Sequence, residues 1–312
     1  MAATRIVIDT DPGVDDAVAI LLALASPEVE VLALTSVAGN VDVDQTTRNA
    51  RRLVDLAGRP DVPVARGAAG PLVAPASYED GHVHGHDGLG DLTWEDPATP
   101  ESPEHAVDLI ARLAREAPLT IVAIAPLTNV ALLRARHPGI ESRIERLVIM
   151  GGASFAGNVT AAAEFNVWFD PEAAASVLSG PWPITLMPLD LTHQAWLTDA
   201  DLAYFAGLGT EVGTRVAGML EPYASYHERW YGNRDVIMHD ATAVYELVVP
   251  GAIATRGAHL AVETAGTLTR GMTVIDRRAA HAERPTRVGE HLDRLAFATL
   301  VRERLARYPL AG

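Results

Sequence analysis

Residues 6–16 read IVIDTDPGVDD and join a short apolar run to the start of a helical pattern. The run Ile6-Val7-Ile8 is typical of a buried strand, and an apolar helical pattern begins at Val14. Pro12 and Gly13 turn the chain between the two. A strand that is followed at once by a helix is the unit from which parallel α/β sheets are built.

The rest of the chain repeats this alternation. Strands are predicted at residues 6–8, 29–37, 119–125, 147–150, 184–188 and near 260–274. Helices are predicted at residues 14–25, 44–57, 103–116, 129–136, 171–178, 198–205, 213–231, 240–247 and 289–307. We therefore predict an open, mostly parallel Rossmann-like α/β sheet flanked by helices, with additional helices in the C-terminal half. No linker divides the chain, so we expect one domain over residues 1–312, with a long functional loop at residues 71–103.

Composition restricts the possible chemistry. The 312 residues carry a net charge of −15, all 25 basic residues are arginine, and cysteine is absent. Schiff-base, P-loop lysine, thiolate and Cys-ligated metal chemistry are therefore excluded. The acidic balance argues against a nucleic-acid backbone or an anionic membrane as partner. No signal sequence or membrane-spanning apolar run is evident, so we expect a cytoplasmic protein with a small partner that is neutral or cationic.

Four carboxylates follow the first predicted strand, at the edge of a parallel sheet where ligands bind. They belong to Asp9, Asp11, Asp15 and Asp16. Helix capping accounts for one or two acids at such a place, but four acids repel one another unless a cation is bound. A set of oxygen ligands without cysteine favours Ca²⁺ or Mg²⁺.

The same run resembles the N-terminal motif of the inosine–uridine nucleoside hydrolases. Further segments similar to that family follow in the same order along nearly the whole chain. They are residues 37–40 (VAGN), 47–50 (TRNA), 126–129 (PLTN), 150–152 (MGG), 157–158 (GN), 163–166 (AEFN), 170–174 (DPEAA), 189–193 (LDLTH), 239–240 (HD) and 271–274 (GMTV).

The resemblance implies a Ca²⁺ ion that binds a water molecule and the 2′- and 3′-hydroxyls of ribose. The implied ligands are Asp11, Asp16, Asp240 and the backbone carbonyl of Ile124. Asp11 would also accept the proton of the attacking water, because the ion lowers the pKa of that water.

The resemblance also implies which residues contact the sugar. These are Asp15, Asn40, Asn158, Glu164 and Asn166. Carboxylates and amides can hydrogen-bond sugar hydroxyls, and carboxylates stabilise an oxocarbenium-like sugar. Taken alone, the three asparagines are equally consistent with turns and helix caps.

Histidines are candidates for assisting the leaving base. His239 matches the family position proposed as general acid, and imidazole titrates in a suitable range. By resemblance His84 lies near the pocket, while His82 and His86 remain unassigned. The spacing of these three could suggest zinc, but no second cluster completes such a site, which leaves a histidine-rich loop as the simpler interpretation.

An aromatic helix is expected to contact the base. Tyr223, His227 and Trp230 share one helical face, and Tyr226 and Tyr231 lie beside them. We predict base contacts from His227 and Tyr231, although aromatic residues at this spacing also occur in ordinary cores. Purine or pyrimidine preference cannot be derived from this segment.

The sequence therefore predicts a Ca²⁺-dependent enzyme that hydrolyses ribonucleosides to ribose and free base with inversion. By analogy with the family we expect a homodimer or homotetramer. An aspartyl phosphatase of the haloacid dehalogenase type is one alternative, but Gly13 replaces its expected Thr or Val and its lysine is missing. A non-catalytic protein that binds Ca²⁺ or nucleosides is the other.

Overall fold

The structure is a computed structural model that describes residues 2–74, 83–278, 280 and 285–311. His82 lies outside the described residues, and so does the side chain of Tyr231. Part of the loop predicted at residues 71–103 also falls outside them.

The described strands form one large sheet and two small ones. The strands are β1 (Thr4–Thr10), β2 (Val29–Ser36), β3 (Val64–Arg66), β4 (Leu119–Ala123), β5 (Ile144–Met150), β6 (Ile184–Met187), β7 (Trp196–Leu197), β8 (Val236–Ile237), β9 (Ile253–Gly257), β10 (His259–Val262), β11 (Thr273–Asp276) and β12 (Arg287–Leu292). The large sheet has the order β3-β2-β1-β4-β5-β6-β12-β9. All its neighbours are parallel except β9, which pairs with β12 in antiparallel fashion. The small sheets are the antiparallel pairs β7-β8 and β10-β11.

Helices cover both faces of the large sheet. They are α1 (Val14–Leu24), α2 (Val43–Leu56), α3 (Ala106–Glu116), α4 (Thr128–Arg136), α5 (Phe165–Phe169), α6 (Pro171–Leu178), α7 (Leu189–Thr192), α8 (Asp199–Ala206), α9 (Glu211–Tyr231), α10 (Ala241–Val248) and α11 (Arg294–Leu305), with a 3₁₀ turn at Ile140–Arg143. Among the described residues, no helix is both long and apolar enough to cross a membrane.

The central strand β1 shows why the sheet needs helices on both sides. Its side chains alternate between the faces, yet Ile6, Val7 and Ile8 are all fully buried. Ile6 and Ile8 join a core that includes residues of α1 and α10, whereas Val7 joins a second core with residues of α3 and α4. Strands that are buried on both faces have continuous apolar sequences, as residues 6–8 do.

The position of β1 also fixes where ligands can bind. The chain proceeds from β1 to β2 and β3 on one side, and then continues on the other side from β4 to β6. This reversal of strand order leaves a crevice outside the carboxyl ends of β1 and β4. The acidic turn that follows β1 lies at that crevice.

The predicted α/β class is confirmed, but the C-terminal elements need correction. The predicted helix at residues 289–307 is wrong in its first part, which forms strand β12, and α11 starts only after Asp293. The side chain of Asp293 caps α11 by accepting from the backbone N–H groups of Leu295 and Ala296. Gly289 suits the strand because a Cβ there would lie 2.5 Å from Cδ2 of Leu191. The strand predicted near residues 260–274 is two strands, β10 and β11. The elements β3, β7, β8, β9, α5 and α7 were not predicted.

Candidate active site

A pocket of about 450 Å³ opens at the carboxyl ends of β1 and β4. Most of the residues that the sequence predicted for the site line this pocket. They are Asp11, Asp15, Asp16, Asn40, His84, Ile124, Asn158, Glu164, Asn166, His227, His239 and Asp240. The segments that carry them are spread from residue 11 to residue 240, so folding gathers the predicted set into one place.

Three buried carboxylates form the acidic centre of the pocket. Oxygen atoms of Asp15, Asp16 and Asp240 lie within 4.8 Å of one another. Asp15 and Asp16 stand in the first turn of α1, and Asp240 directly precedes α10. Burial raises the pKa of Asp15 and of Asp16 to about 6. Burial and then the charges of the neighbouring carboxylates raise the pKa of Asp240 well above its ordinary value. The cluster therefore favours either bound protons or a bound cation.

Asp11 lies beside this cluster and is held by the turn after β2. The backbone N–H of Asn40 donates to Oδ2 of Asp11 at 2.7 Å, and the side-chain amide of Asn40 donates to the Asp11 carbonyl at 3.0 Å. A Cβ on Gly39 would stand 1.9 Å from Oδ2 of Asp11, so only glycine permits this approach. Burial and the charge of Asp16 raise the pKa of Asp11 well above its ordinary value.

Local hydrogen bonds also fix Asp16. The hydroxyl of Thr10 donates to Oδ1 at 2.6 Å, and the backbone N–H of Gly13 donates to Oδ2 at 2.9 Å. The side-chain amide of Asn40 approaches Oδ2 at 3.3 Å. Asn40 thus contacts both Asp11 and Asp16 and sets their separation.

Asp9 does not belong to the pocket, unlike the other three acids of the turn. Its Oδ1 accepts from Thr35 at 2.6 Å and from the side-chain amide of Asn129 at 2.8 Å. Asn129 also donates to the Ser36 carbonyl and accepts from the backbone of Ala68. Burial raises the pKa of Asp9 to about 6. The sequence grouped Asp9 with the site acids, but the structure places it in a polar brace beneath them.

Glu164, Asn158 and Asn166 form a second polar wall. Glu164 accepts from the backbone N–H groups of Gly152 and Asn166 at 2.8 and 2.9 Å, and caps α5. Burial nevertheless raises the pKa of Glu164 to about 7. The side chain of Asn158 accepts from the backbone N–H of Phe165 at 2.9 Å, at the start of α5. Asn158 therefore caps this helix and also lines the pocket.

Aromatic and imidazole rings close the side of the pocket formed by α9. The ring of Tyr223 lies 4.6 Å from that of His227 and 5.5 Å from that of His84. Nδ1 of His84 accepts from the backbone N–H of Val14 at 3.2 Å, which fixes that ring against the acidic turn. Burial lowers the pKa of His84 and of His227 to about 4, so both rings are neutral near pH 7.

The structure corrects the aromatic part of the prediction. Tyr223, Tyr226 and His227 line the pocket, whereas Trp230 is 67% exposed and is not among the described lining residues. His86 lines the pocket too, and its Nδ1 lies 3.0 Å from Oδ2 of Asp91.

His239 reaches the pocket from the segment that also carries Asp240. Its Nδ1 lies 2.7 Å from Oγ1 of the buried Thr192, and its carbonyl accepts from the hydroxyl of Thr242. Burial lowers the pKa of His239 well below its ordinary value. The sequence identified His239, but it did not single out Thr192, and it also missed Phe165, an aromatic residue that lines the pocket.

The pocket thus combines a buried acidic centre that could hold a cation with a polar wall and a ring-lined wall. A family model described as inosine-uridine preferring nucleoside hydrolase matches residues 6–299. The chain belongs to this family. It is accordingly an enzyme, a nucleoside hydrolase that cleaves the N-glycosidic bond of ribonucleosides. The phosphatase alternative is not supported.

Individual relatives agree with the family across the full chain. Pyrimidine-specific ribonucleoside hydrolases RihA of Salmonella schwarzengrund (strain CVM19633) and Klebsiella pneumoniae (strain 342) are each 43% identical over 311 residues, covering 98% of this chain and 99% of theirs. Among solved structures, a purine-preferring ribonucleoside hydrolase from Gardnerella vaginalis superimposes with a TM-score of 0.92 at 32% identity, covering 97% of this chain and 98% of that one. The nucleoside hydrolase fold is thus shared over almost the whole length.

Proposed function

We propose that this nucleoside hydrolase is Ca²⁺-dependent, acts on pyrimidine ribonucleosides such as uridine and cytidine, and releases ribose with inversion. The observation that carries the proposal is the buried acidic centre, which lies in one pocket with polar side chains suited to a sugar and rings suited to a base. A neutral nucleoside fits this pocket better than a phosphorylated one, because phosphate would meet several carboxylates.

The donor set fits a hard divalent cation. Asp16 and Asp240 of the acidic centre and the adjacent Asp11 would supply carboxylate oxygens, and Ile124 would supply its carbonyl. Asp15, the third acid of the centre, is proposed to contact the sugar. These acids are buried, and the charges that raise the pKa of Asp240 are those of other carboxylates, so a cation would relieve their repulsion. Ca²⁺ accepts about six to eight oxygen ligands in flexible geometry, which leaves positions for a water and sugar hydroxyls. When bound, the ion would lower the pKa of that water.

The polar side chains are suited to holding the ribose. Asp15 belongs to the acidic centre, Asn40 contacts Asp11 and Asp16, and Asn158, Glu164 and Asn166 line the same pocket. Each can accept from or donate to a sugar hydroxyl. The carboxylates also stabilise the positive charge that develops on the sugar as the glycosidic bond breaks.

Asp11 is assigned to the attacking water, and His239 is assigned to the leaving base. Asp11 would accept the proton of a water that attacks the anomeric carbon from the face opposite the base, and attack from that face produces inversion. His239 would assist departure of the base from the other side. His84, His227 and Tyr231 are proposed to contact the base.

Pyrimidine preference is proposed from the relatives. The RihA proteins at 43% identity are named pyrimidine-specific, whereas the Gardnerella vaginalis enzyme named purine-preferring is 32% identical. A ribose-release assay with uridine, cytidine, inosine, adenosine and guanosine tests this preference. Faster turnover of uridine and cytidine supports it, and faster turnover of the purine nucleosides contradicts it.

Four further expectations remain predictions. These are a homodimer or homotetramer, a cytoplasmic location, a lack of nucleic-acid and membrane partners, and a single domain over residues 1–312. Sedimentation of the purified protein would test the first.

A further inference from the structure

A buried hydroxyl lies behind the imidazole that is proposed to assist the leaving base. Thr192, the last residue of α7, is fully buried, and its Oγ1 lies 2.7 Å from Nδ1 of His239. His239 lines the pocket, whereas Thr192 is not among the described residues that line it. The hydroxyl therefore contacts the ring from the side of the protein core.

The distances indicate which group donates. Among the described residues, the other acceptor within reach of the Thr192 hydroxyl is the Leu189 carbonyl at 3.4 Å, long for an O–H···O hydrogen bond. That carbonyl already accepts from the backbone N–H of His193 at 2.9 Å. We assign the donor role to the hydroxyl, because a ring N–H that donated to this oxygen would leave the hydroxyl hydrogen only that long and already occupied acceptor.

The consequence for the ring follows from the imidazole itself. A neutral histidine carries its proton on one nitrogen only, and the hydrogen bond at the other nitrogen decides which one. With Nδ1 accepting from Thr192, the proton resides on Nε2. Among the described residues, no side chain hydrogen-bonds Nε2, which leaves this N–H for a ligand.

We propose that Thr192 is a positioning residue that fixes His239 with its proton on Nε2, ready to donate a hydrogen bond to a carbonyl oxygen of the leaving pyrimidine. This inference rests on the proposed cleavage of pyrimidine nucleosides. As the glycosidic bond breaks, its electron pair stays with the base and negative charge spreads onto the carbonyl oxygens. A donor aimed there stabilises the departing base more than the bound substrate, and so accelerates the reaction.

The activity test compares two leaving groups. Uracil departs as a basic anion that needs a hydrogen-bond donor, whereas 4-nitrophenolate departs from 4-nitrophenyl β-D-ribofuranoside without such help. Thr192→Val removes the hydroxyl but keeps the side chain's shape. Its kcat for uridine falls about 10–100-fold with little change in KM, while kcat for the nitrophenyl riboside stays within about 3-fold. Thr192→Ser keeps the donor and restores the uridine rate.

Thr242→Val is the matched control. Thr242 is also fully buried, and its hydroxyl bonds the backbone carbonyl of His239 rather than the ring. Damage to packing or to the acidic centre slows both substrates together, so the ratio of the two rates stays at the wild-type value in this variant. An equal loss on both substrates in Thr192→Val would overturn the inference.

A spectroscopic test does not depend on activity. Long-range ¹H–¹⁵N spectra distinguish a protonated from an unprotonated ring nitrogen, and the spectrum of His239→Gln identifies the signals of His239. We expect a protonated Nε2 in the wild type and in Thr192→Ser, and a mixed or reversed pattern in Thr192→Val. An unchanged pattern in Thr192→Val contradicts the inference. If the wild type cleaves neither substrate, the proposed function fails while this measurement still decides the role of Thr192.

Discussion

Carboxylate oxygens of Asp16 and Asp240 lie within 4.8 Å of each other, although one residue follows the first strand and the other precedes α10. Both side chains are buried, and the charge of Asp16 contributes to raising the pKa of Asp240. Folding keeps like charges together at this point, which costs stability unless a cation or protons compensate. The proposed cation site of this enzyme depends on that relationship.

Adding Ca²⁺ is expected to stabilise the protein. A ligand that binds only the folded state contributes about 2.7 kcal/mol at a concentration 100 times its Kd. Differential scanning calorimetry in chelator and in excess Ca²⁺ measures the shift in Tm, which we expect to be several degrees. Asp16→Asn removes a ligand and should lose most of the shift. An equal shift in this variant would show that Ca²⁺ binds elsewhere.

The metal-free protein should become less stable as the pH rises from about 4 to about 6. Burial raises the pKa of Asp15 and Asp16 to about 6 in the folded state, above the ordinary value of 3.8. The protonated carboxyl groups of these residues therefore stabilise the folded state. Their contribution to the free energy of unfolding is complete below the unfolded-state pKa and disappears as the pH rises through the folded-state pKa. The Tm of the chelated protein, followed from pH 4 to pH 7, checks this loss. Asp16→Asn should show a smaller decrease, and a decrease as large as in the wild type contradicts the assignment.

Gly39→Ala should impair the site while leaving the fold intact. The new Cβ would stand 1.9 Å from Oδ2 of Asp11, so that carboxylate must move. A displacement of about 1 Å at a reacting group can cost about 100-fold in rate. Gly207→Ala is the control, because its nearest contact would be an ordinary 3.4 Å. Steady-state rates for uridine compare the two variants, and equal rates would refute the steric argument.

Asn129→Ala should destabilise the protein by about 2–3 kcal/mol. Asn129 is fully buried, and its loss removes one of the two side-chain donors to Asp9 and a donor to the Ser36 carbonyl. Urea denaturation measures the change in the free energy of unfolding. Asn233→Ala removes only an exposed hydrogen bond to the Asp235 backbone and should cost less than about 0.5 kcal/mol. Comparable losses in the two variants would argue against the brace beneath the site.

The sequence predicts the residues that line the pocket better than it predicts the outer strands of the large sheet. Strand periodicity assigns Asp9 and Asp11 to the same side, but β1 ends at Thr10, so Asp11 lies beyond the strand and turns into the pocket. Asp9 keeps the strand orientation and points at Thr35 and Asn129 instead. One residue at a strand end therefore separates a site acid from a structural one.

Other features depend on tertiary contacts that no local pattern contains. The stretch 287–292 has a glycine and several polar residues, and it forms β12 by pairing with β6 and β9, where Gly289 permits close packing against Leu191. The contact between Thr192 and His239 spans distant parts of the chain, and a lone threonine carries no signal of it. The acids that line the pocket could be predicted because their types and order resemble those of a family along the chain.

The most direct test of the central claim is the fate of uridine in water enriched in ¹⁸O. We expect uracil and ribose in equal amounts, with the label on the anomeric oxygen of ribose and the α-anomer formed first. Asp11→Asn should reduce the rate by a factor of about 100 or more while retaining the fold. Absence of ribose and uracil with the folded, Ca²⁺-loaded wild type, or an undiminished rate in Asp11→Asn, would contradict the account.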